Sequence, residues 1–218
     1  MVDTSAMTGN ARPFPHSPAG GAGLVLASAS AARRRLLSAA GLVFAVDPAD
    51  IDESATKDRL LRAGAAPAEI AEALAREKAA AVAARRPDDV VIAADQVLAL
   101  GDRLFDKPRD MAEAADHLRA LRGRRHTLWS AAVLRRGDAV LWAGVEPAHL
   151  DMRAFSDAFL ASYLGAAGES VLSSVGAYAL EGLGAHLFAG IEGDHFTVQG
   201  LPLFALLDAL RAHGALGA

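Results

Sequence analysis

Apolar positions along the chain fall into two patterns, short continuous runs and helical repeats, and their order predicts a mixed architecture. Residues 24–28 (L-V-L-A-S) form a run suited to a buried strand; helical spacing follows to Ala40, with Gly41 placed as a stop. The alanine-rich stretch 58–86 favours helix but is interrupted at Gly64 and Pro67, predicting two helices with the second starting near Ala68. Residues 90–94 are β-branched and apolar, so Asp95 is expected at a strand end, and residues 97–105 predict strand, tight turn at Gly101-Asp102, and strand. Asp110 with Glu113 resembles a capping box opening a helix to Leu121, and residues 126–135 and 139–149 flank Gly137-Asp138 as a hairpin. Ser156 opens a helix to Leu164, residues 171–191 are expected as a Gly-rich strand region, and Pro202 begins a closing helix to about His213.

β-α units mixed with a hairpin favour a mixed-sheet α/β (α+β) fold over a uniformly wound parallel sheet. With 218 residues, 52% of them apolar, the chain can bury one sizeable core. Residues 24–218 are therefore expected to form a single domain or two closely apposed lobes. Residues 1–23 are rich in Pro and Gly and carry no continuous hydrophobic stretch, so a flexible tail is expected there and no secretory signal.

Composition narrows the chemistry. No apolar run approaches the roughly 20 residues that cross a bilayer, so no membrane span is expected. The absence of cysteine excludes a disulfide framework, a thiolate zinc site and a cysteine nucleophile, and fits a reducing cytoplasm. A net charge of -4 offers no global basic surface for long nucleic acid and suits a small phosphorylated substrate met by locally placed Lys and Arg.

Ser28-Ala29-Ser30 lies between a strand and a helix N-terminus, where free N–H groups favour an anion; helix capping is the competing role for these serines. Arg33, in the first helical turn, strengthens the phosphate reading, whereas Arg34 and Arg35 are expected in solvent. Asp50, Asp52 and Glu53 supply hard oxygens of the kind Mg²⁺ prefers, though such a cluster also suits an exposed loop. Asp95, following Val-Val-Ile-Ala-Ala, can serve as base or metal ligand or simply as a turn carboxylate. Lys107, stiffened by Pro108, can offset phosphate charge or remain solvated. The helix from Ala68 carries Arg76, Glu77 and Lys78. The histidines have no metal-binding spacing, and neither a phosphate-loop motif nor a dinucleotide fingerprint is present.

Taken in order, L-A-S-A-S at 26–30 with Arg33, D-E at 52–53, A-R-E-K-A at 75–79, A-D-Q-V at 94–97, D-K-P at 106–108, G-A-Y-A-L-E-G at 176–182 and G-D-H-F-T-V-Q-G-L-P at 193–202 resemble the Maf family, over residues 24–213. The resemblance implies a Maf/ITPase-like twisted mixed sheet with helices on both sides and a central cleft. It also implies a nucleoside triphosphate pyrophosphatase acting on non-standard or pyrimidine nucleotides, a house-cleaning role, a proposed link to septum formation, and a homodimer. By position, Asp95 matches the family's proton acceptor; Ser28, Arg33, Glu53, Lys78 and Lys107 match its phosphate- and metal-handling positions, and Ser30 is expected to bind substrate with them. Glu53 and Asp95 are the expected holders of Mg²⁺ or Mn²⁺.

The sequence departs from the common S-x-S-P-R-R, Asp-Thr and Gln-Gly patterns at Ala31-Ala32, Gln96 and Glu181. Asp95-Gln96 and Glu181-Gly182 are similar to the 7-methyl-GTP branch rather than the dTTP and UTP branch, although that branch commonly has an aromatic residue where Ala32 stands. Gln96 can donate and accept, while an ionised Glu181 accepts only, from a purine N–H edge or opposite a cationic methylated base. Rival expectations are a low-turnover nucleotide-binding regulator of division and a phosphatase releasing single phosphates.

Overall fold

The computed structural model describes residues 23–217; the tail expected at 1–23 lies, but for Gly23, outside them. Strand β1 (Leu24–Leu26) leads into helix α1 (Ala31–Ala39) and the short strand β2 (Ala45–Val46). Helices α2 (Glu53–Arg62) and α3 (Pro67–Ala83) follow, then β3 (Val90–Leu100), β4 (Arg103–Phe105) and α4 (Met111–Leu121). The long hairpin β5 (Arg125–Arg136) and β6 (Ala139–Met152) precedes α5 (Asp157–Ala167). Three 3₁₀ segments, β7 (Phe188–Glu192), a single turn α6 (His195–Val198) and α7 (Leu203–Ala212) complete the described chain.

The sheet runs β2-β1-β3-β5-β6-β7, with β4 also pairing β3. β1 is parallel to β2 and β3, and the remaining pairs are antiparallel, the mixed arrangement expected of β-α units joined to a hairpin. Period-two alternation gives the sheet two apolar faces. Val25, Val91, Ala93 and Val133 pack with Ile70, Leu74, Ala75 and Val82 of α3. Leu26, Ile92 and Leu134 pack with Leu36 and Leu37 of α1 and Leu206 and Leu210 of α7. A further core joins Leu98, Leu128 and Leu150 to Leu118, Leu160 and Tyr178. Leu74, 1% exposed, illustrates the scale: burial of such a side chain contributes about 1.5–3 kcal/mol.

Two expectations are corrected. Residues 171–191 are not a strand region: 3₁₀ segments at Gly168–Ser173, Val175–Ala177 and Leu183–Leu187 precede the short β7. Apolar side chains there, such as Val171, Tyr178 and Leu187, fill the core from irregular backbone. That backbone includes Gly176 at φ 77 and Ala177 at φ 61, the latter with its carbonyl accepting from Tyr163 Oη at 3.1 Å. Second, Asp95 is not at a strand end. β3 continues through it to Leu100, with Asp95 opposite Ala131 and Gln96 opposite Ser130, because Asp95 finds a buried cationic partner and the ladder need not stop.

That continuous strand creates the opening on which the site depends. Along one edge, β1 pairs β3 as far as Ile92, and β4 pairs it only from Leu98 onward. Between these points the edge of β3 has no strand neighbour among the described residues. Asp95 and Gln96 point to opposite faces of the sheet, yet through this gap both reach one cleft.

A candidate active-site cleft at the gap in the sheet

The cleft encloses about 890 Å³. One wall comprises the β1–α1 turn, the first turn of α2, Lys78, Asp95 and the β4–α4 loop; the other is the segment around 170–181 with Val198 and Gln199. All expected site residues, Ser28, Ser30, Arg33, Glu53, Lys78, Asp95, Gln96, Lys107 and Glu181, line it.

At its centre is a three-charge cluster. Ile70, Leu74, Lys78 and Val82 recur every four residues on the buried stripe of α3, so the helix carries Lys78 inward, where it is 8% exposed. Its Nζ lies 2.5 Å from Asp95 Oδ1 and 2.9 Å from Glu53 Oε1. The ammonium thus offsets the repulsion between two carboxylates brought from α2 and β3. Two of its three N–H donors are committed to these carboxylates, leaving one for a substrate oxygen. Asp95 Oδ2 makes no hydrogen bond among the described residues and is left for water or a cation. Arg76 and Glu77 turn elsewhere: Arg76 Nε donates to Glu72, and Glu77 accepts from Thr56 Oγ1 and Arg59.

Arg33 crosses the gap. Its Nε donates to the Gly200 carbonyl at 2.8 Å, and its Nη1 to the Ala94 carbonyl at 2.8 Å and Ser28 Oγ at 3.2 Å. Ala94 O is on the edge of β3 left without a strand, so the guanidinium replaces a missing ladder partner. Burial lowers the Arg33 pKa from its ordinary value, with the charges of Asp95 and Glu53 acting the other way. Ser30 has the capping role weighed for it, accepting from Arg33 N at 3.4 Å, and Ser28 Oγ accepts from Ser30 N at 3.2 Å. Both hydroxyl protons remain able to reach a phosphate placed at the start of α1.

Gln96 and Ser130 form a polar seam between the two cores on their face of the sheet. Gln96 Nε2 donates to Ser130 Oγ at 2.9 Å and to the Thr197 and Val198 carbonyls, both at 3.1 Å; Ser130 Oγ donates to Thr197 O at 2.7 Å. Its donors are thereby occupied, and the Gln96 carbonyl oxygen is what it can offer a base. Glu181 accepts from Arg35 Nη2 at 3.3 Å, linking α1 to the opposite wall. Arg35 is solvated as expected, its side chain 61% exposed, and it also lines the rim of the cleft. Lys107 lines the cleft from its exposed loop, while Asp52 caps α2, accepting from Ala55 N at 2.9 Å.

Lys57 was not among the expected site residues. It stands one helical turn after Glu53 on the same face of α2 and pairs with Asp106. The E-x-x-x-K spacing is a signal for it, once Glu53 is known to face a site. Behind the cleft wall, buried His126 Nε2 and Tyr178 Oη are 2.7 Å apart, and His126 Nδ1 has no well-formed hydrogen bond among the described residues. Burial pushes His126 down to about 4, opposed by the nearby Arg124 carbonyl, and pushes the Tyr178 hydroxyl well above its ordinary value.

Among the described residues no group of three or more His, Cys, Asp or Glu side chains forms a ready metal cage. Two carboxylates in one cleft nevertheless suit Mg²⁺, which takes one or two protein carboxylates and completes its shell with phosphate oxygens and water.

A family model described as "Maf-like protein" matches residues 23–213. Among curated proteins, the chain is 52% identical over 193 residues to a "7-methyl-GTP pyrophosphatase" of Rhizobium etli, covering 88% of this chain and 97% of that one. It is 52% identical over 195 residues to a "Nucleoside triphosphate pyrophosphatase" of Rhodopseudomonas palustris (strain HaA2), covering 88% and 95%. A third, also named "Nucleoside triphosphate pyrophosphatase", from Paramagnetospirillum magneticum, is 50% identical over 192 residues, covering 88% and 99%. The ordered sequence motifs, the cleft they build and these matches agree: the chain belongs to the Maf family.

Proposed function

We propose that this chain is a hydrolase acting on an acid anhydride, a nucleoside triphosphate pyrophosphatase that yields a nucleoside monophosphate and pyrophosphate, with Asp95 as its general base. The observation that carries the reading is Lys78 between Asp95 and Glu53, in a cleft that also contains the Ser28–Arg33 turn. The names of the curated relatives support the same activity and do not favour the regulatory alternative.

In this mechanism the α-phosphate lies against the start of α1, where backbone N–H groups, the Ser28 and Ser30 hydroxyls and the positive end of the helix receive it. Asp95 takes a proton from water as its oxygen attacks the α-phosphorus. The bond from that phosphorus to the bridging oxygen breaks, its electron pair leaves with pyrophosphate, and Asp95 returns the proton to solvent. Lys78 holds Asp95 oriented and gives its third donor to the phosphoryl group; Lys107 meets charge that grows on the leaving side. Glu53 and Asp95 are the residues that would hold Mg²⁺ or Mn²⁺ with the phosphates, the ion supplying further stabilisation of the leaving group.

For the base, we favour 7-methyl-GTP. An ionised Glu181 at the cleft wall favours a cationic methylated purine over a neutral base, and the Gln96 carbonyl offers a second acceptor. The wider reading is a cytoplasmic homodimer that clears modified nucleotides. Its support is the family resemblance, together with the finding that no described helix is long and apolar enough to cross a membrane.

The test is a panel of 7-methyl-GTP, dTTP, UTP, CTP and GTP with Mg²⁺, assayed for pyrophosphate, orthophosphate and monophosphate. Stoichiometric pyrophosphate and monophosphate, greatest with 7-methyl-GTP, is expected. Orthophosphate as first product would identify a phosphatase, and dTTP as best substrate would overturn the base assignment.

A further inference from the structure

The cleft contains more acidic charge than its expected cations can offset once a triphosphate enters. A nucleoside triphosphate brings about four negative charges at neutral pH. Lys78 is already shared between Asp95 and Glu53, and Arg33 gives Nε and Nη1 to backbone carbonyls. Lys57 is the remaining cleft lysine besides Lys107, and its side chain is only 20% exposed. Its partner, Asp106, is 71% exposed and lies on the loop between β4 and α4, on the same wall of the cleft as α2. Pairs with so solvated a carboxylate are weak, and a multiply charged phosphate competes with one readily.

We infer that Lys57 is a specificity-determining residue for the terminal phosphates, its bond to Asp106 being exchanged for a β- or γ-phosphate oxygen when a triphosphate binds. The assignment rests on the pyrophosphatase reading for its biological substrate, and on geometry for its position. Lys57 follows Glu53 by one turn on the same face of α2, so it stands beside the carboxylate end of the cleft, while Arg35 and Glu181 occupy the base wall. Asp106 serves as the stand-in anion that holds Lys57 at the cleft wall.

An exchanged ion pair and a purely structural one differ in sign. If Asp106 competes with phosphate, removing Lys57 weakens binding and removing the Asp106 charge strengthens it; a structural strut gives losses from both. Mg²⁺-pyrophosphate binding by calorimetry and KM for the best triphosphate are measured for wild type, Lys57→Met, Lys57→Arg and Asp106→Asn. Lys57→Met is expected to raise Kd and KM about tenfold, the size of one partly shielded charge contact. Lys57→Arg recovers most of that loss, and Asp106→Asn lowers both constants by roughly threefold. Binding of the nucleoside monophosphate moves by less than about twofold in each variant, since it lacks both terminal phosphates. Shifts of the same direction in Lys57→Met and Asp106→Asn, or no shift in either, overturn the assignment. If wild type releases no pyrophosphate from any triphosphate, the pyrophosphatase reading fails, while direct pyrophosphate binding still decides the role of Lys57.

Discussion

Lys78 Nζ lies 2.5 Å from Asp95 Oδ1, a buried contact between α3 and β3 that also ties in Glu53 at 2.9 Å. One cation serving two acids makes this cluster both a catalytic arrangement and a fold-stabilising one. Lys78→Met is expected to abolish detectable turnover and to lower stability by about 3–5 kcal/mol, because it leaves adjacent carboxylates without their cation. Chemical denaturation alongside the pyrophosphate assay checks both effects; full stability with lost turnover would assign Lys78 to catalysis alone.

Arg33 is held by two backbone carbonyls from distant parts of the chain, Ala94 and Gly200. A lysine has one point of charge where the guanidinium has a fork, so Arg33→Lys retains the charge yet loses one of these bonds. It is expected to cost about 1–3 kcal/mol of stability and to reduce kcat/KM more than tenfold. Thermal unfolding with steady-state kinetics measures the two losses; a variant equal to wild type in both would show that the staple is dispensable.

The chain's elements were largely legible from periodicity, and its site only in part. The runs at 24–26 and 90–94, the breaks at Gly64 and Pro67 and the turn at Gly137-Asp138 each carry a local signal that the fold retains. Asp95 carries the signal of a strand end because a lone acid in an apolar run looks like a terminus, and its partner Lys78 is 17 residues away on another element. Lys57 alone carries no site signal for a related reason: a charged residue on a short polar helix looks solvated until packing fixes its face, whereas Arg35 is solvated and reaches the cleft only at its rim. The segment 171–191 misled because its apolar residues meet the core from 3₁₀ turns, where no simple period applies.

His126 gives the fold a specific acid sensitivity. Burial depresses its pKa from 6.5 to about 4, so between those values the unfolded chain takes up a proton that the native ring does not. Stability therefore falls as pH drops from 6.5 towards 4, by about 3 kcal/mol at most from this group, and that loss persists without growing below the window. Urea denaturation of wild type and His126→Gln from pH 7 to pH 4 isolates the contribution. The difference between them should shrink or reverse in favour of the variant as the solution is acidified; a constant difference would remove His126 from the account.

Glu181 is expected to act on choice of base rather than on the chemical step. Glu181→Gln keeps the shape and removes the charge, so the ratio of kcat/KM for 7-methyl-GTP to that for GTP should fall about tenfold, with GTP turnover little changed. Competition between the two nucleotides in one reaction measures the ratio directly, and an unaltered ratio would locate base discrimination elsewhere on the wall.

The central claim is that water activated at Asp95 attacks the α-phosphorus. Hydrolysis in ¹⁸O-labelled water, with mass spectrometry of both products, tests it most directly. The account predicts one labelled oxygen in the nucleoside monophosphate, none in pyrophosphate, and a rate lowered by about 10²–10⁴-fold in Asp95→Asn. Label in the pyrophosphate would place the attack at the β-phosphorus, and an Asp95→Asn variant as fast as wild type would remove Asp95 as the base.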